Sequence, residues 1–179
     1  MLDSQTAVLA YSNGNEISGI SFKAMSQSDM AFVCELYRTT RWDEVMQAPW
    51  DEKQKRIFLQ QQFEAQHKHY QSHYPHSEFL IIQQDKRAIG RIYLDRDDAS
   101  ICLIDIALLP EYRNQGLGTK LLKGLLSEAQ HTQKKVVIHV EKFNPAYQWY
   151  LNHGFVQVED KGVHQYMEWH PKNHRLNNS

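Results

Sequence analysis

The sequence predicts a single domain of mixed α/β (α+β) class. Its length of 179 residues suits one domain, and its 41% hydrophobic and 23% charged residues are typical of a globular protein. Apolar and polar residues alternate in the order strand, two helices, three strands, helix, strand, helix and two strands. A chain of this length buries roughly 70% of the surface that its unfolded form exposes, so its core needs no disulfide framework.

Composition and charge argue against several functional classes. The net charge of −1 argues against a broad nucleic-acid surface. No apolar run approaches the roughly 20 residues that span a bilayer, and residues 1–19 lack the basic start and apolar stretch of a signal peptide. The two cysteines, Cys34 and Cys102, are typical of a reducing cytoplasm. We therefore expect a cytoplasmic protein with neither nucleic acid nor membrane as a partner.

The N-terminal part combines a short strand with two helices. Residues 1–19 are polar and predict a loose arm or an extra edge strand, and residues 20–24 alternate as a strand does. Ser28 or Asp29 can cap the first helix, and a second, mostly solvated helix is predicted over residues 51–72. The first helix has one apolar face, formed by Met30, Val33, Leu36 and Tyr37.

The middle of the chain predicts three strands. Two apolar runs, 79–82 and 88–94, are joined by a turn at residues 85–86 that is typical of a hairpin. The third run, 101–109, is apolar at nearly every position, and Asp105 is the exception. A strand that is apolar on both faces is normally central, so we expect this one in the middle of the sheet.

The remaining segments alternate helix and strand. The first helix is predicted from the helical spacing of its apolar residues. The second helix is predicted from a capping residue followed by proline at its start and from a glycine at its end. These segments are a helix over 117–129, a strand over 136–140, a short helix between Asn144 and Gly154, and strands over 155–158 and 163–169. The domain is therefore expected to span residues 20–170, followed by a flexible tail over 171–179.

The segment Leu108–Thr119 is the most informative stretch. A buried strand runs there into a loop with two glycines, Gly116 and Gly118, and then directly into an amphipathic helix. Such a junction points several backbone N–H groups at one spot, and the helix dipole adds positive potential. Glycine has no side chain to keep a phosphate from the backbone. The segment predicts a pyrophosphate cradle, and the alternative is a tight turn between strand and helix.

The same segment resembles the signature of the GNAT superfamily of N-acyltransferases, Arg/Gln-x-x-Gly-x-Gly/Ala. Here it reads Arg113-Asn114-Gln115-Gly116-Leu117-Gly118, and the preceding Leu108–Arg113 is similar to the family's lead-in from its fourth strand. A second block is similar in the spacing of Ala146, Tyr150 and Gly154-Phe155. The order of strands and helices over residues 20–169 also fits this family.

The resemblance implies the GNAT acyl-CoA N-acyltransferase fold. That fold is a mostly antiparallel sheet of about six to seven strands with four flanking helices and splayed fourth and fifth strands. Acetyl-CoA would bind as co-substrate between those two strands. Backbone groups of Ile106, Ala107 and Leu108 would pair with its pantetheine arm, and Asn144 would contact that arm too. The pyrophosphate would be held by Gln115, Gly116, Leu117, Gly118 and Thr119, and Asn114 belongs to the same cofactor-binding segment. Arg113 would add positive charge there, and its alternative is a solvated loop arginine.

Acyl transfer from a thioester to an amine needs a neutral amine, a donor for the intermediate's oxygen and a proton for the leaving thiolate. Tyr150 matches the family's general-acid tyrosine, and the alternative is an aromatic side chain packed in the core. For the base we rank Asp105 first, Glu141 second and His139 third. The alternative for Asp105 is a buried structural hydrogen bond. Relatives that use an ordered water chain need no single base.

The resemblance places the acceptor pocket between the first two helices, the end of the fourth strand and the last hairpin. The candidates there are Arg41, Trp42 and Tyr166, and the alternative for each is ordinary packing. A cluster of histidines follows no recognised zinc pattern, so we predict no metal site. These histidines are His67, His69, His73 and His76.

We therefore expect an N-acetyltransferase that moves the acetyl group of acetyl-CoA to a primary amine by direct transfer in a ternary complex. Direct transfer is favoured because Cys102 lies among apolar residues, where a thiol stays protonated. The alternatives are a non-catalytic acyl-CoA-binding module and a protein-modifying acetyltransferase. We expect a small-molecule amine rather than a protein as acceptor, and scattered aromatic residues leave a homodimer open.

Overall fold

The computed structural model describes residues 17–172. Most of the predicted N-terminal arm or edge strand and residues 173–179 of the predicted tail lie outside the described part. Within that part the chain forms seven strands: β1 (Ile20–Ala24), β2 (Glu78–Gln84), β3 (Arg87–Arg96), β4 (Ser100–Leu108), β5 (Lys135–Glu141), β6 (Val156–Lys161) and β7 (His164–Trp169). The same part contains four α-helices: α1 (Met30–Met46), α2 (Glu52–His73), α3 (Leu117–Thr132) and α4 (Ala146–Asn152).

The strands form one mixed sheet in the order β1-β2-β3-β4-β5-β7-β6. Strands β1 and β2, β2 and β3, β5 and β7, and β6 and β7 pair antiparallel. Strands β4 and β5 pair parallel, with Ser100–Cys102 opposite Lys135–Val137, and both strands continue beyond these residues. The mixed α/β class and the order of elements are confirmed. The apolar β4 takes the central place expected of a strand covered on both faces.

The starts of the first two helices show where local signals were sufficient. Helix α2 follows Asp51, which accepts the N–H of Gln54 at 2.8 Å, while the Gln54 side chain accepts the N–H of Asp51 at 2.9 Å. Asp29 occupies the N-cap position of α1, one of the two residues predicted there, but its side chain makes no capping hydrogen bond to this helix. A 3-10 turn precedes α1, and Asp29 accepts the N–H of Ser26 there at 2.9 Å.

One compact unit comprises residues 17–95 and 105–119. Its buried apolar cluster combines α1, α2 and β2 through Val33, Tyr37, Val45, Leu59, Phe63 and Ile81. Strands β3 and β4 approach closely at Gly90, where a Cβ atom would lie 2.4 Å from the carbonyl oxygen of Ala107. Real Cβ atoms do not come that close to a backbone oxygen, so this position requires glycine.

The other unit comprises residues 96–104 and, within the described chain, 120–172. Helix α3 buries Leu121, Leu122, Leu125 and Ala129, and Arg96 holds Glu128 by two bonds of 2.8 and 3.0 Å. Helix α4 is followed by Gly154 at φ +89°, as predicted for a left-handed stop. Lys172 exchanges two hydrogen bonds with the Gln130 side chain, so the first residues of the predicted tail contact α3.

Candidate functional site

The segment between β4 and α3 turns the chain with two left-handed residues. After Leu108 the chain makes a 3-10 turn over Pro110–Tyr112 and leaves it extended at Arg113. Asn114 at φ +57° and Gly116 at φ +79° then redirect it so that α3 begins at Leu117. Asparagine and glycine are the residues that adopt this region at the lowest cost, so the sequence encodes the turn locally.

The space beside Gly116 is open. A Cβ atom built at this position would meet nothing within 4 Å among the described residues. The helix that follows has 16 residues, and the N–H groups of its first turn have no partner within the helix. An open glycine at the positive end of a helix dipole suits an anionic group such as a pyrophosphate. The residues present therefore fit the cofactor that the signature predicts.

Arg113 is held by the protein itself. Its Nε donates to the carbonyl oxygen of Leu108 at 2.8 Å, and its Nη2 donates to Oγ1 of Thr39 at 2.7 Å. Burial lowers the pKa of the Arg113 guanidinium, and the charges of Asp43 and Glu111 partly offset this. The predicted pyrophosphate contact of Arg113 stays a prediction, and its side chain has two protein partners besides.

Asp105 forms an ion pair with a buried arginine that sequence reasoning missed. Nη2 of Arg91, on β3, lies 2.5 Å from Oδ2 of Asp105 and 3.0 Å from Oε1 of Gln66. The Arg91 side chain is 3% exposed, against 17% for Asp105. Its guanidinium lies 5.0 Å from the ring centroid of Tyr93 and 6.0 Å from that of Tyr37. Within the described chain its Nε has no hydrogen-bond partner.

This ion pair bears on the proposed base. The Asp105 carboxylate is bound by the guanidinium of Arg91, which is nearly fully buried. The buried structural role that was the alternative for Asp105 is therefore present in the structure, and its role as base stays a prediction. In the sequence, Arg91 is visible only as a charged residue inside the apolar run of β3. That pattern does not indicate which residue pairs with it.

His139 lies beside Tyr166 in the other unit. The two residues are paired across β5 and β7, and their ring centroids are 5.1 Å apart. Partial burial lowers the pKa of His139, and the charges of Lys161 and His164 lower it further. The imidazole is therefore neutral near pH 7, which is the form that accepts a proton.

Tyr166 and Glu141 occupy the same pair of strands. The Tyr166 hydroxyl donates to Oε1 of Glu168 at 2.8 Å, and Nζ of Lys161 lies 5.0 Å from the Tyr166 ring centroid. Burial and the Glu168 carboxylate raise the pKa of this phenol. Glu141 is the last residue of β5 and is paired with His164 of β7. Tyr166 as an acceptor contact and Glu141 as a base stay predictions.

The second signature block forms the turn into α4. Oδ1 of Asn144 accepts the N–H of Ala146 at 2.9 Å, so Asn144 caps the helix as its sequence predicts. Tyr150 is 6% exposed, with ring centroids 4.9 Å from Trp149 and 5.3 Å from Phe155. The packing alternative for Tyr150 is thus present, and the structure leaves its role as general acid a prediction.

The acceptor candidates on α1 are engaged with neighbouring side chains. Arg41 pairs with Glu44 at 2.9 Å, and Trp42 packs against the buried cluster beneath the guanidinium of Arg56, 5.7 Å away. A groove of about 220 Å³ lies at the N-terminal part of α2. It is lined by Trp50, Gln54, Ile57, Phe58 and Gln61.

No three His, Cys, Asp or Glu side chains in residues 17–172 come together as a metal site requires. None of the helices in that range is both long enough and apolar enough to span a bilayer.

Comparisons with known proteins identify the family. The sequence model described as "Acetyltransferase (GNAT) family" matches residues 42–155, whereas no curated protein matches. Among solved structures, PaiA N-acetyltransferase from Thermoplasma acidophilum with coenzyme A has 21% identity and a TM-score of 0.57, over 84% of this chain and 98% of that one. A GNAT family acetyltransferase from Elizabethkingia anophelis with acetyl-CoA bound has 15% identity and a TM-score of 0.54, over 86% and 99%.

A third solved structure shares the fold within a longer chain. N-acetylglutamate synthase from Neisseria gonorrhoeae, with coenzyme A and N-acetyl-glutamate, has 13% identity and a TM-score of 0.57, over 88% of this chain and 36% of that one. At these identities the structures establish the fold alone, and the matched family model covers more than half of this chain. The chain belongs to the GNAT acetyltransferase family.

Proposed function

We propose that this protein is an N-acetyltransferase that moves the acetyl group of acetyl-CoA to a primary amine by direct transfer in a ternary complex. The observation that carries the proposal is the open, left-handed Gly116 before the N-terminus of α3, within the family signature. Coenzyme A or acetyl-CoA in two of the structural relatives supports the choice of cofactor. A small-molecule amine in the cytoplasm remains the proposed acceptor.

The residues of the β4–α3 segment would bind and orient the cofactor. The N–H groups of Gln115–Thr119 would hold the pyrophosphate, and backbone groups of Ile106–Leu108 would hold the pantetheine arm. Bound acetyl-CoA supplies the activated thioester. Tyr150 would donate the proton that the leaving sulfur needs. Direct transfer is supported by Cys34, because burial raises the pKa of its thiol and keeps it from being a thiolate nucleophile.

Three residues are proposed as bases for the amine. Asp105 has the position in β4 but shares its carboxylate with Arg91. His139 has a lowered pKa and is neutral near pH 7, which is the form that accepts a proton. Glu141 ends the same strand as His139. The pH–rate profiles of Asp105→Asn, His139→Gln and Glu141→Gln test these roles, and the true base is the residue whose loss abolishes the acidic limb.

The first experiment is a thermal shift with acetyl-CoA, CoA and NAD. Ligand at about 100 times its dissociation constant adds roughly 2.7 kcal/mol of stability, enough to move Tm by several degrees. We expect a shift with acetyl-CoA and CoA but not with NAD, followed by thiol release with an added amine. A shift with no release for any small amine or peptide would favour a non-catalytic acyl-CoA-binding module. Release only with peptide amines would favour a protein-modifying acetyltransferase.

A further inference from the structure

The guanidinium of Arg113 connects the loop of residues 113–116 to β4 and to helix α1, and we call this pair of hydrogen bonds, to Leu108 and to Thr39, the Arg113 bridge. One bond, of 2.8 Å, runs from Nε to the carbonyl oxygen of Leu108 at the end of β4. The other, of 2.7 Å, runs from Nη2 to Oγ1 of Thr39 on α1. Both donors belong to one rigid planar group, so the two contacts fix the position of the side chain and of the backbone that carries it.

Each end of this bridge is itself anchored. The Thr39 hydroxyl donates to the carbonyl oxygen of Leu36 at 2.7 Å, which orients its lone pairs toward a donor. Leu36 is completely buried in α1. At the other end, the Leu109 N–H donates to the carbonyl oxygen of Ile89 at 2.8 Å, so the peptide group between Leu108 and Leu109 is held on both sides.

We propose that Arg113 is a positioning residue that acts together with Thr39. It holds the Leu108 carbonyl and the following Asn114–Thr119 loop in the conformation that the pantetheine arm and the pyrophosphate require, and it does not bind phosphate itself. The inference rests on the proposed function for its ligand, but the bridge is a property of the protein alone. The signature arginine thus connects the loop to helix α1.

A matched pair of threonines tests the bridge without a ligand. The Thr40 hydroxyl donates to the carbonyl oxygen of Tyr37 at 2.7 Å, as Thr39 does to Leu36, whereas the Arg113 guanidinium bonds to the hydroxyl of Thr39. We expect Thr39→Val to raise amide hydrogen exchange of residues 112–119 at least threefold and Thr40→Val to leave it unchanged. Equal exchange in the two variants would overturn the bridge.

Coenzyme A binding then tests its consequence. Loss of one hydrogen bond to a charged group should weaken CoA binding at least roughly tenfold in Thr39→Val, and less than twofold in Thr40→Val. Arg113→Gln should weaken it at least as much. Calorimetry at several salt concentrations should give wild type and Arg113→Gln the same dependence of log Kd on log salt concentration, because no phosphate contact is lost.

The outcomes separate the two proposals. A flatter salt dependence in Arg113→Gln would mean that Arg113 contacts phosphate, and the positioning role would be rejected. Unchanged CoA affinity in Thr39→Val with faster loop exchange would also reject it, because the bridge would not matter for binding. If wild-type protein binds no CoA, the proposed function fails, while the exchange experiment still decides whether the bridge holds the loop.

Discussion

At the scale of single residues, Gly116 and Gly162 share a left-handed backbone conformation at two separate turns. Their φ angles are +79° and +81°, and among the described residues a Cβ would meet nothing within 4 Å at either position. Alanine at either site should therefore cost a similar strain, roughly 1–2 kcal/mol. We expect Gly116→Ala to weaken CoA binding at least tenfold and Gly162→Ala to leave it unchanged.

Equal Tm losses in the two alanine variants would show that the strain is matched. Calorimetric titration with CoA then isolates the effect of the added methyl group on the ligand. An unaltered Kd in Gly116→Ala would remove the loop from the pyrophosphate site and leave the tight-turn alternative.

Tyr150 and Tyr147 provide a second matched pair on one helix. Tyr150 is buried beside Phe155, whereas Tyr147 is only partly buried and its hydroxyl donates to Oε1 of Gln157 at 2.9 Å. If Tyr150 is the general acid, Tyr150→Phe should lower kcat roughly 100-fold with little change in the KM for acetyl-CoA. Tyr147→Phe should keep kcat within twofold. Steady-state thiol release measures both, and equal kcat values in wild type and Tyr150→Phe would assign Tyr150 to packing.

The residue scale also shows where sequence reasoning ended. The glycine loop and the Asn144 cap were readable because their signals are local: a left-handed turn and a cap are each defined within a few residues. The contacts of Asp105 with Arg91 and of Arg113 with Thr39 join residues 14 and 74 positions apart. Such pairings are set by strand register and helix packing, which a single sequence does not encode in a readable pattern.

At the scale of elements, the start of α2 is explained by its own residues, whereas the start of α1 also depends on a neighbouring strand. The predicted 51–72 and the observed Glu52–His73 agree because Asp51 and Gln54 form a self-contained capping box. The segment before α1 offers three capping residues within four positions, and the contact of Lys23 with Asp29 at 2.6 Å favours one of them. The lysine is on β1, so this choice depends on tertiary contact.

Helix α2 also carries a prediction about pH. The His67 ring stacks on Phe63 with centroids 5.7 Å apart, and within the described chain its buried Nδ1 has no partner. Burial, helped by the charge of Arg91, lowers its pKa below the ordinary 6.5. The unfolded chain therefore binds a proton on His67 more readily than the folded chain does. The neutral His67 contributes to the free energy of unfolding above about pH 6.5, and this contribution is lost as the pH falls through the lower pKa of the folded state.

Replacing His67 by phenylalanine should remove that contribution. We expect the Tm of His67→Phe to fall less than that of wild type between pH 7 and pH 5, because the unfolded variant can no longer be stabilised by protonation at this position. Part of the slope should remain, since the pKa of His139 is lowered as well. Differential scanning calorimetry at four pH values makes the comparison, and parallel curves for the two proteins would contradict the assignment.

At the scale of the whole molecule, the fold was more predictable than the site. Element order followed from periodicity, and the central place of β4 followed from its apolar residues, because both depend on burial summed over many positions. The acceptor side depends on individual side chains instead. Trp42 was predicted to contact the acceptor, and it packs against the buried cluster of α1, α2 and β2. A tryptophan on a helix gives the same sequence signal in either role.

The ion pair between the buried Arg91 and the partly buried Asp105 supports the last prediction, which concerns global stability. Asp105→Asn would leave the guanidinium buried without its counter-charge, and breaking such a pair typically costs about 3–5 kcal/mol. We therefore expect a Tm loss of several degrees in Asp105→Asn, measured by calorimetry. The double variant Arg91→Met/Asp105→Leu removes both charges and should recover most of that loss, since well-packed apolar replacements of ion pairs are often neutral.

This comparison separates the structural role of Asp105 from its catalytic one. If Asp105 is structural only, the double variant should regain activity together with stability. If it is also the base, the double variant should regain Tm but stay inactive, and raising the pH should partly restore turnover by deprotonating the amine. An unchanged Tm in Asp105→Asn would contradict the stabilising pair itself, because a charge that costs nothing to leave unpaired is not buried in solution.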